Sequence, residues 1–194
     1  MPVSPPDAPV EADDRALAVF ARALGDAKTM EEQDAVRVAA LRAAGIAPIA
    51  PGRARGSTEA FRVGKKSLVG WVIGREPVRR DTLVVVSAPR DGMSDLALAE
   101  AARMLVARSV FTQTPARSVL VVIGDPVPAL RFWDRARMHA AIRVGAGPDS
   151  LAGLPVQRVP LGEAEDLAVR LHGILVRETT PGGSIYTSDP LPSE

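Results

Sequence analysis

The sequence predicts an α/β fold, a three-layer sandwich whose mainly parallel central sheet is flanked by helices, with Pro-rich extended arms at both ends. Two observations lead there. Residues 83–86 (Leu-Val-Val-Val) and 118–123 (Ser-Val-Leu-Val-Val-Ile) are short continuous apolar runs, the pattern of strands covered on both faces. Each is followed by a turn and then by a helical stretch. Strands alternating with helices in this way lie parallel, because the chain must cross back over the sheet between them.

In chain order, residues 1–12 read as a polyproline-like arm carrying Pro2, Pro5, Pro6 and Pro9. Residues 13–24 place Leu17, Phe20, Ala21 and Leu24 at helical spacing, up to Gly25. The next helix is marked by Thr29 with Glu32 three residues on, a capping box, and by Gly45 at its end; Val36, Ala40 and Leu41 build its apolar face. Residues 46–51 form a short strand or extended link, and 51–57 a turn-rich loop. Residues 59–63 and 67–74 read as two strands joined by Gly64-Lys65-Lys66 in a hairpin. Strand 82–88 is followed by helix 94–108, and strand 118–123 by a helix over 128–138. Short strands are expected at 140–144 and 156–159, then a helix at 163–176 with Leu167, Leu171, Ile174 and Leu175 on one side. The organisation is therefore an arm (1–12), one domain (13–177) and a second arm (178–194).

The chain has 194 residues, long enough for one domain with a sizeable core. Hydrophobic residues make up 46% and charged residues 24%, the usual proportions of a globular protein. The net charge of +1 supplies no overall field to draw nucleic acid or an anionic membrane. Arginine far outnumbers lysine, which occurs only as Lys28, Lys65 and Lys66. The absence of cysteine removes disulfides, thiolate metal sites and thiol nucleophiles. No stretch approaches the ~20 apolar residues of a membrane span, and the acidic, Pro-rich start is unlike a signal peptide. A cytoplasmic location is the expectation.

The segment 82–105 has the layout of an active-site strand, loop and helix, and its loop reads Ser87-Ala88-Pro89-Arg90-Asp91. Upstream, residues 45–48 read Gly-Ile-Ala-Pro, and 57–77 carry a pair of strands ending in Val-Ile-Gly. Downstream, Glu100 and Arg103 sit on the helix, 118–125 reads SVLVVIGD, and 185–191 reads IYTSDPL. In this order the stretches resemble the M28 zinc aminopeptidases. There the strand ends in Ser-Ala-His-x-Asp, the later strand delivers Gly-Glu-Glu, and a terminal segment reads His-Thr-x-x-Asp.

The resemblance implies a site with two zinc ions, and the departures fall on its ligands. The first histidine corresponds to Pro89, which has no lone pair to offer, with Arg90 adding a fixed positive charge beside it. The bridging aspartate is left as Asp91 or Asp95. The Glu-Glu pair becomes Asp125-Pro126, and the last histidine falls at Ile185 or Tyr186. The segment from 138 to 181 is also too short for the family's full second half. The expected cleft thus consists of Pro89, Asp91, Asp95, Asp125, Pro126 and Tyr186, with no metal and no cofactor.

Other chemistry has little support. His139 and His172 stand 33 residues apart without a histidine or cysteine nearby, and His172 lies among core leucines. No Gly-x-Ser-x-Gly turn exists. Residues 52–58 (GRARGST) lack the lysine of a phosphate loop, and Gly145-Ala146-Gly147 lacks a third glycine. Arg53, Arg55, Arg79 and Arg80 read as a solvated face rather than a nucleic-acid strip. Asp91, Asp95 and Asp125 follow the carboxyl ends of parallel strands, where α/β sites lie; the same residues also suit helix and turn capping.

A fold that keeps its frame without its ligands persists through its surface. The expectation is a non-catalytic accessory subunit that binds protein subunits of a larger bacterial assembly. The periphery of a respiratory or photosynthetic membrane complex is one such setting. Its arms would grip the partner, with Pro5, Pro6, Ile185, Tyr186 and Leu191 as anchors. The competing readings are a divergent metal-dependent hydrolase using Asp91, Asp95 and Asp125, and a small-molecule binding module using the same cleft.

Overall fold

Two strands have every residue buried, β4 (Leu83–Ala88) and β5 (Ser118–Ile123), and they pair in parallel from Leu83 opposite Ser118 to Ala88 opposite Ile123. Backbone this deep must satisfy its amides within the sheet, so both strands need neighbours on their outer sides. The computed structural model describes residues 11–49, 58–109, 115–131 and 133–180. In it, β3 (Ser67–Val72) runs antiparallel beside β5, β6 (Met138–Val144) runs parallel beside β4, and β8 (Leu154–Val159) runs parallel beside β6. The order across the sheet is β1-β3-β5-β4-β6-β8-β7, where β1 is Ala47–Pro48 and β7 is Ser150–Leu151; β2 (Arg62–Val63) also pairs with β3. The two central strands expected to be adjacent and parallel are so, in a mostly parallel sheet flanked by helices.

The helices follow their sequence signals. Asp13 caps α1 (Asp14–Asp26) by accepting from the Ala16 amide. Thr29 and Glu32 form the reciprocal capping box of α2 (Met30–Ala43), and Gly45, at φ 77°, takes the left-handed turn that ends it. The other long helices are α4 (Ser94–Ser109) and α6 (Ala164–Thr179). All four long helices pack on one face of the sheet. There Leu98 and Leu105 of α4 and Leu167 and Leu171 of α6 close over Val84, Val86, Val119 and Val121. Each such buried aliphatic side chain contributes about 1.5–3 kcal/mol. The opposite face, Leu83, Val85, Leu120 and Val122, has thinner cover from the short α5 (Val127–Leu130), Trp133 and the β7–β8 hairpin. The three layers are thus unequal.

Four elements depart from expectation. Residues 59–63 are mostly not a strand. Thr58–Phe61 forms a helical turn, α3, because the adjacent Ala60 and Phe61 are both buried, which an alternating strand does not allow; only Arg62 and Val63 pair with β3. The helix expected over 128–138 stops at Leu130. Asp134 then caps a turn of 3-10 helix, Arg135–Arg137, and Met138 already belongs to β6. β7 was not expected at all; it turns into β8 through Ala152 and Gly153, both at positive φ, without the Asn-Gly or Asp-Gly that usually signals such a hairpin. Finally, α6 runs on to Thr179, whose buried hydroxyl donates to the Leu175 carbonyl. Thr179's own carbonyl accepts from the Ala116 amide beside β5. Arm residues 1–10 and 181–194, including Pro5, Pro6, Ile185, Tyr186 and Leu191, lie outside the described residues, as does the loop at 51–57.

His172 sits half-buried on α6, and its Nε2 has no hydrogen-bond partner. Burial, reinforced by Arg108 and Arg103, pushes its pKa down. Below the ordinary histidine value of about 6.5 the unfolded chain therefore binds a proton that the native state resists, and stability falls with acidification. Urea unfolding at about pH 7.5 and about pH 5.5 should show this loss, and His172→Gln should reduce it. A residual slope is expected from His139, whose pKa is lowered by burial and by Arg117.

Candidate functional site

The carboxyl ends of β4 and β5 open at the loops 89–93 and 124–126, facing α2 and the turn at 64–66. Gly124, at φ 113°, lets these segments close on one another. A Cβ there would stand 2.7 Å from the Lys66 carbonyl oxygen, so no larger residue fits without moving backbone. Ser67 Oγ donates to the Asp125 carbonyl at 2.8 Å, and the Gly124 amide to the Ala88 carbonyl.

Each expected carboxylate has a local partner. Asp91 Oδ1 accepts from the Met93 and Ser94 amides, at 3.0 and 2.7 Å, and its Oδ2 from the Ser94 hydroxyl, which caps the start of α4. Asp125 is exposed, and its Oδ1 accepts from the Val127 amide at 3.0 Å. Pro126 is buried and Pro89 half-buried. Asp95 is wholly buried; Arg37 Nε donates to its Oδ2 at 2.6 Å, and the Leu96 amide to its Oδ1. Tyr186 lies outside the described residues.

Asp95 opens onto an ionic cluster. Arg37 Nη1 lies 3.6 Å from Asp34 Oδ1 on the same helix, with both side chains 3% exposed. Arg90 Nη2 donates to Asp34 Oδ1 and Nη1 to the Lys66 carbonyl, and Arg62 Nη2 reaches Asp34 Oδ2 at 3.4 Å. The cluster thus ties α2, α4, the β2–β3 turn and the loop after β4 together. Burial pushes the Asp95 carboxyl pKa up despite Arg37 beside it, and burial lowers that of Arg90 against the pull of Asp34.

Sequence reasoning placed Asp95 and Arg90 here and missed Asp34, Arg37 and Arg62. A signal existed. Asp34 and Arg37 share the buried face of α2 with Val38 and Leu41, at the spacing of an apolar stripe, so two charges occupied core positions. Glu100 and Arg103 have a separate task. Glu100 accepts from the Asp13 amide at 2.6 Å and from Arg103, whose Nη2 donates to the Glu11 carbonyl. They dock the start of α1 onto α4.

The donor set does not fit two zinc ions. Metal ligands must present free lone pairs converging on one point. Here Pro89 at the end of β4 has no lone pair to offer, the buried carboxylates face guanidiniums, and Arg90 would repel a cation. Among the described residues no three His, Asp or Glu side chains converge on one point as metal ligands would, and no helix is long and apolar enough to cross a membrane.

No family model and no curated protein matches the chain. Among solved structures, it is similar to the glutaminyl cyclase of Porphyromonas gingivalis, at 12% identity and a TM-score of 0.42, over 87% of this chain and 82% of that one. It is also similar to a candidate zinc-dependent exopeptidase from Bacteroides vulgatus, at 11% identity and a TM-score of 0.41, over 84% of each chain. Likenesses this distant carry no argument about activity.

The Arg37–Asp95 pair makes a testable statement. Arg37→Met leaves a buried carboxylate without its hydrogen-bonded partner and should cost about 3–5 kcal/mol near pH 7. Asp95, its pKa already raised, would be pushed up further. Its ionised form then costs stability at high pH, and protonation on acidification should return part of the loss. Replacing both partners, Arg37→Met with Asp95→Leu, should recover most of it. Chemical denaturation of the two variants and the parent protein across pH checks each step.

Proposed function

We propose that this chain is a non-catalytic accessory subunit, built on an M28-peptidase-like scaffold, that binds and stabilises a larger assembly of protein subunits through its terminal arms. One observation carries the non-catalytic reading: the carboxylates of the expected cleft are engaged by protein donors. Asp91 holds the start of α4, Asp95 holds Arg37, and Asp125 holds the turn at Val127. A two-metal hydrolase uses such groups as ligands and as a general base, with an open coordination position for water. A guanidinium fixed at the site has no such position. The binding role rests on the arms. Proline restricts their free conformations, so an extended arm loses less entropy on docking, and Ile185, Tyr186 and Leu191 space apolar anchors along it. A setting at the edge of a membrane complex suits a domain of this kind.

Purified protein should hold no stoichiometric zinc and cleave no aminoacyl substrate. Metal analysis after dialysis, with an aminopeptidase assay beside it, tests this. Two tightly held zinc ions per chain, lost on Asp95→Ala or Asp125→Ala, would overturn the reading.

The arm is tested by truncation after Thr180, which spares the Thr179 contacts with Ala116. Removing 181–194 should leave the melting temperature unchanged and weaken association with the partner recovered from the native host more than tenfold, about 1.4 kcal/mol. A destabilised chain with unchanged partner affinity would show that the arm packs on its own domain instead.

A further inference from the structure

The thin side of the sheet carries a band of apolar side chains that is only partly covered. One row crosses five strands there by register: Trp71 of β3, Leu120 of β5, Val85 of β4, Ala141 of β6 and Val156 of β8. Its middle members are buried, whereas Trp71 and Val156 at the ends are only partly so, as are Leu130, Trp133 and Leu154 packed against the same cluster. Val127, on α5, is exposed.

Scattered exposed aliphatics are ordinary; what marks this face is its indoles and its charge. Trp71 and Trp133 are the chain's only tryptophans and both lie here, their ring centroids 5.8 Å apart in an edge-to-face pair. Among the described residues neither indole N–H has a hydrogen-bond acceptor, and neither is closed off from solvent. An indole with its body on an apolar face and its N–H edge wet suits a boundary between hydrocarbon and water. Residues 127–137, which run across this face, carry Arg131, Arg135 and Arg137 against one carboxylate, Asp134, whose Oδ1 accepts from the Ala136 amide. All three arginines are exposed, and none has an ion-pair partner among the described residues. Arg135 lies directly over Gly153 in the β7–β8 turn, at the border of the same face, and Asp149 of that hairpin is already paired with Arg158. Three arginines less one aspartate leave a local surplus of two positive charges.

We propose that this face rests on an anionic lipid surface, with Trp71, Trp133, Leu130 and Val127 at the headgroup boundary and Arg131, Arg135 and Arg137 against lipid phosphates. A guanidinium free of carboxylate pairs with phosphate through two parallel hydrogen bonds. Anionic lipids diffuse to wherever the arginines stand, so the match needs no partner groups at fixed places. The apolar band is shallow, which makes this a contact with the surface and not an insertion across it. The face is separate from the terminal arms, so it stands independently of the accessory-subunit reading.

The test uses the full chain with vesicles of phosphatidylglycerol and phosphatidylcholine, and with vesicles of phosphatidylcholine alone. The protein should sediment with the mixed vesicles and more than tenfold more weakly with the neutral ones, and added salt should weaken the first. Both tryptophans report on the contact: their emission should shift to the blue on binding and be quenched by lipids brominated near the headgroup. Arg131→Glu with Arg135→Glu should weaken binding more than tenfold at an unchanged melting temperature, since both side chains are exposed. Arg15→Glu with Arg22→Glu, exposed on α1, alters net charge equally and should leave binding as it was. Equal losses from the two pairs would overturn the assignment by showing a response to net charge alone. So would sedimentation without a change in tryptophan emission, equal binding to neutral vesicles, or no binding to the mixed ones.

Discussion

Everything in this fold follows from the demand that β4 be covered on both faces. Its side chains alternate between two apolar environments, Val84 and Val86 toward the long helices, Leu83 and Val85 toward the thinner layer. A strand in that position can be flanked in parallel only if the chain crosses over and returns, which it does through α4 between β4 and β5, and through α5 and the 3-10 turn between β5 and β6. Parallel strands also end together. The loops after β4 and β5 are thereby brought to one edge of the sheet, where the donors and acceptors of the candidate site meet.

The groups gathered at that edge include a set of guanidiniums, and a guanidinium acts differently from an exchangeable ion. The two differ in ways that matter. A bound metal is set by supply, pH and competing chelators, whereas Arg37 is part of the chain itself. A metal accepts electron pairs from several directions; a guanidinium only donates hydrogen bonds, in one plane. Asp34 and Asp95, each buried, are thus held by donated hydrogen bonds. The cluster orders four segments of chain, and its burial makes it far more consequential than the surface pair of Arg158 with Asp149.

Much of the frame was legible because it rests on local rules. The capping box at Thr29 and Glu32, the stop at Gly45 and the apolar runs of β4 and β5 each specify structure within a few residues. What failed was non-local. Nothing adjacent to Ala60 and Phe61 announces that both are buried, which turned an expected strand into a helical turn. Met138 was placed in a helix because its role as the start of β6 depends on β4, more than fifty residues earlier. At the site, Asp91 lies in the loop after β4 and Asp95 in the first turn of α4, and nothing local to Asp95 announces its ion-pair partner. Arg37 reaches Asp95 across 58 residues of sequence, a pairing that spacing alone cannot reveal. The arms remain a matter of composition.

The closure made by α6 bears on how the protein is made. This helix is contributed by residues 164–179, late in the sequence, yet it packs along α4 and its final carbonyl receives the Ala116 amide at the foot of β5. A chain emerging from the ribosome has β4, α4 and β5 in hand long before their lid is synthesised. Until then the nascent protein exposes valine-rich backbone at the heart of its future sheet, the kind of surface that recruits chaperones and invites association. Synthesis interrupted before residue 164 would therefore yield a fragment prone to aggregate, rather than a smaller version of the same domain.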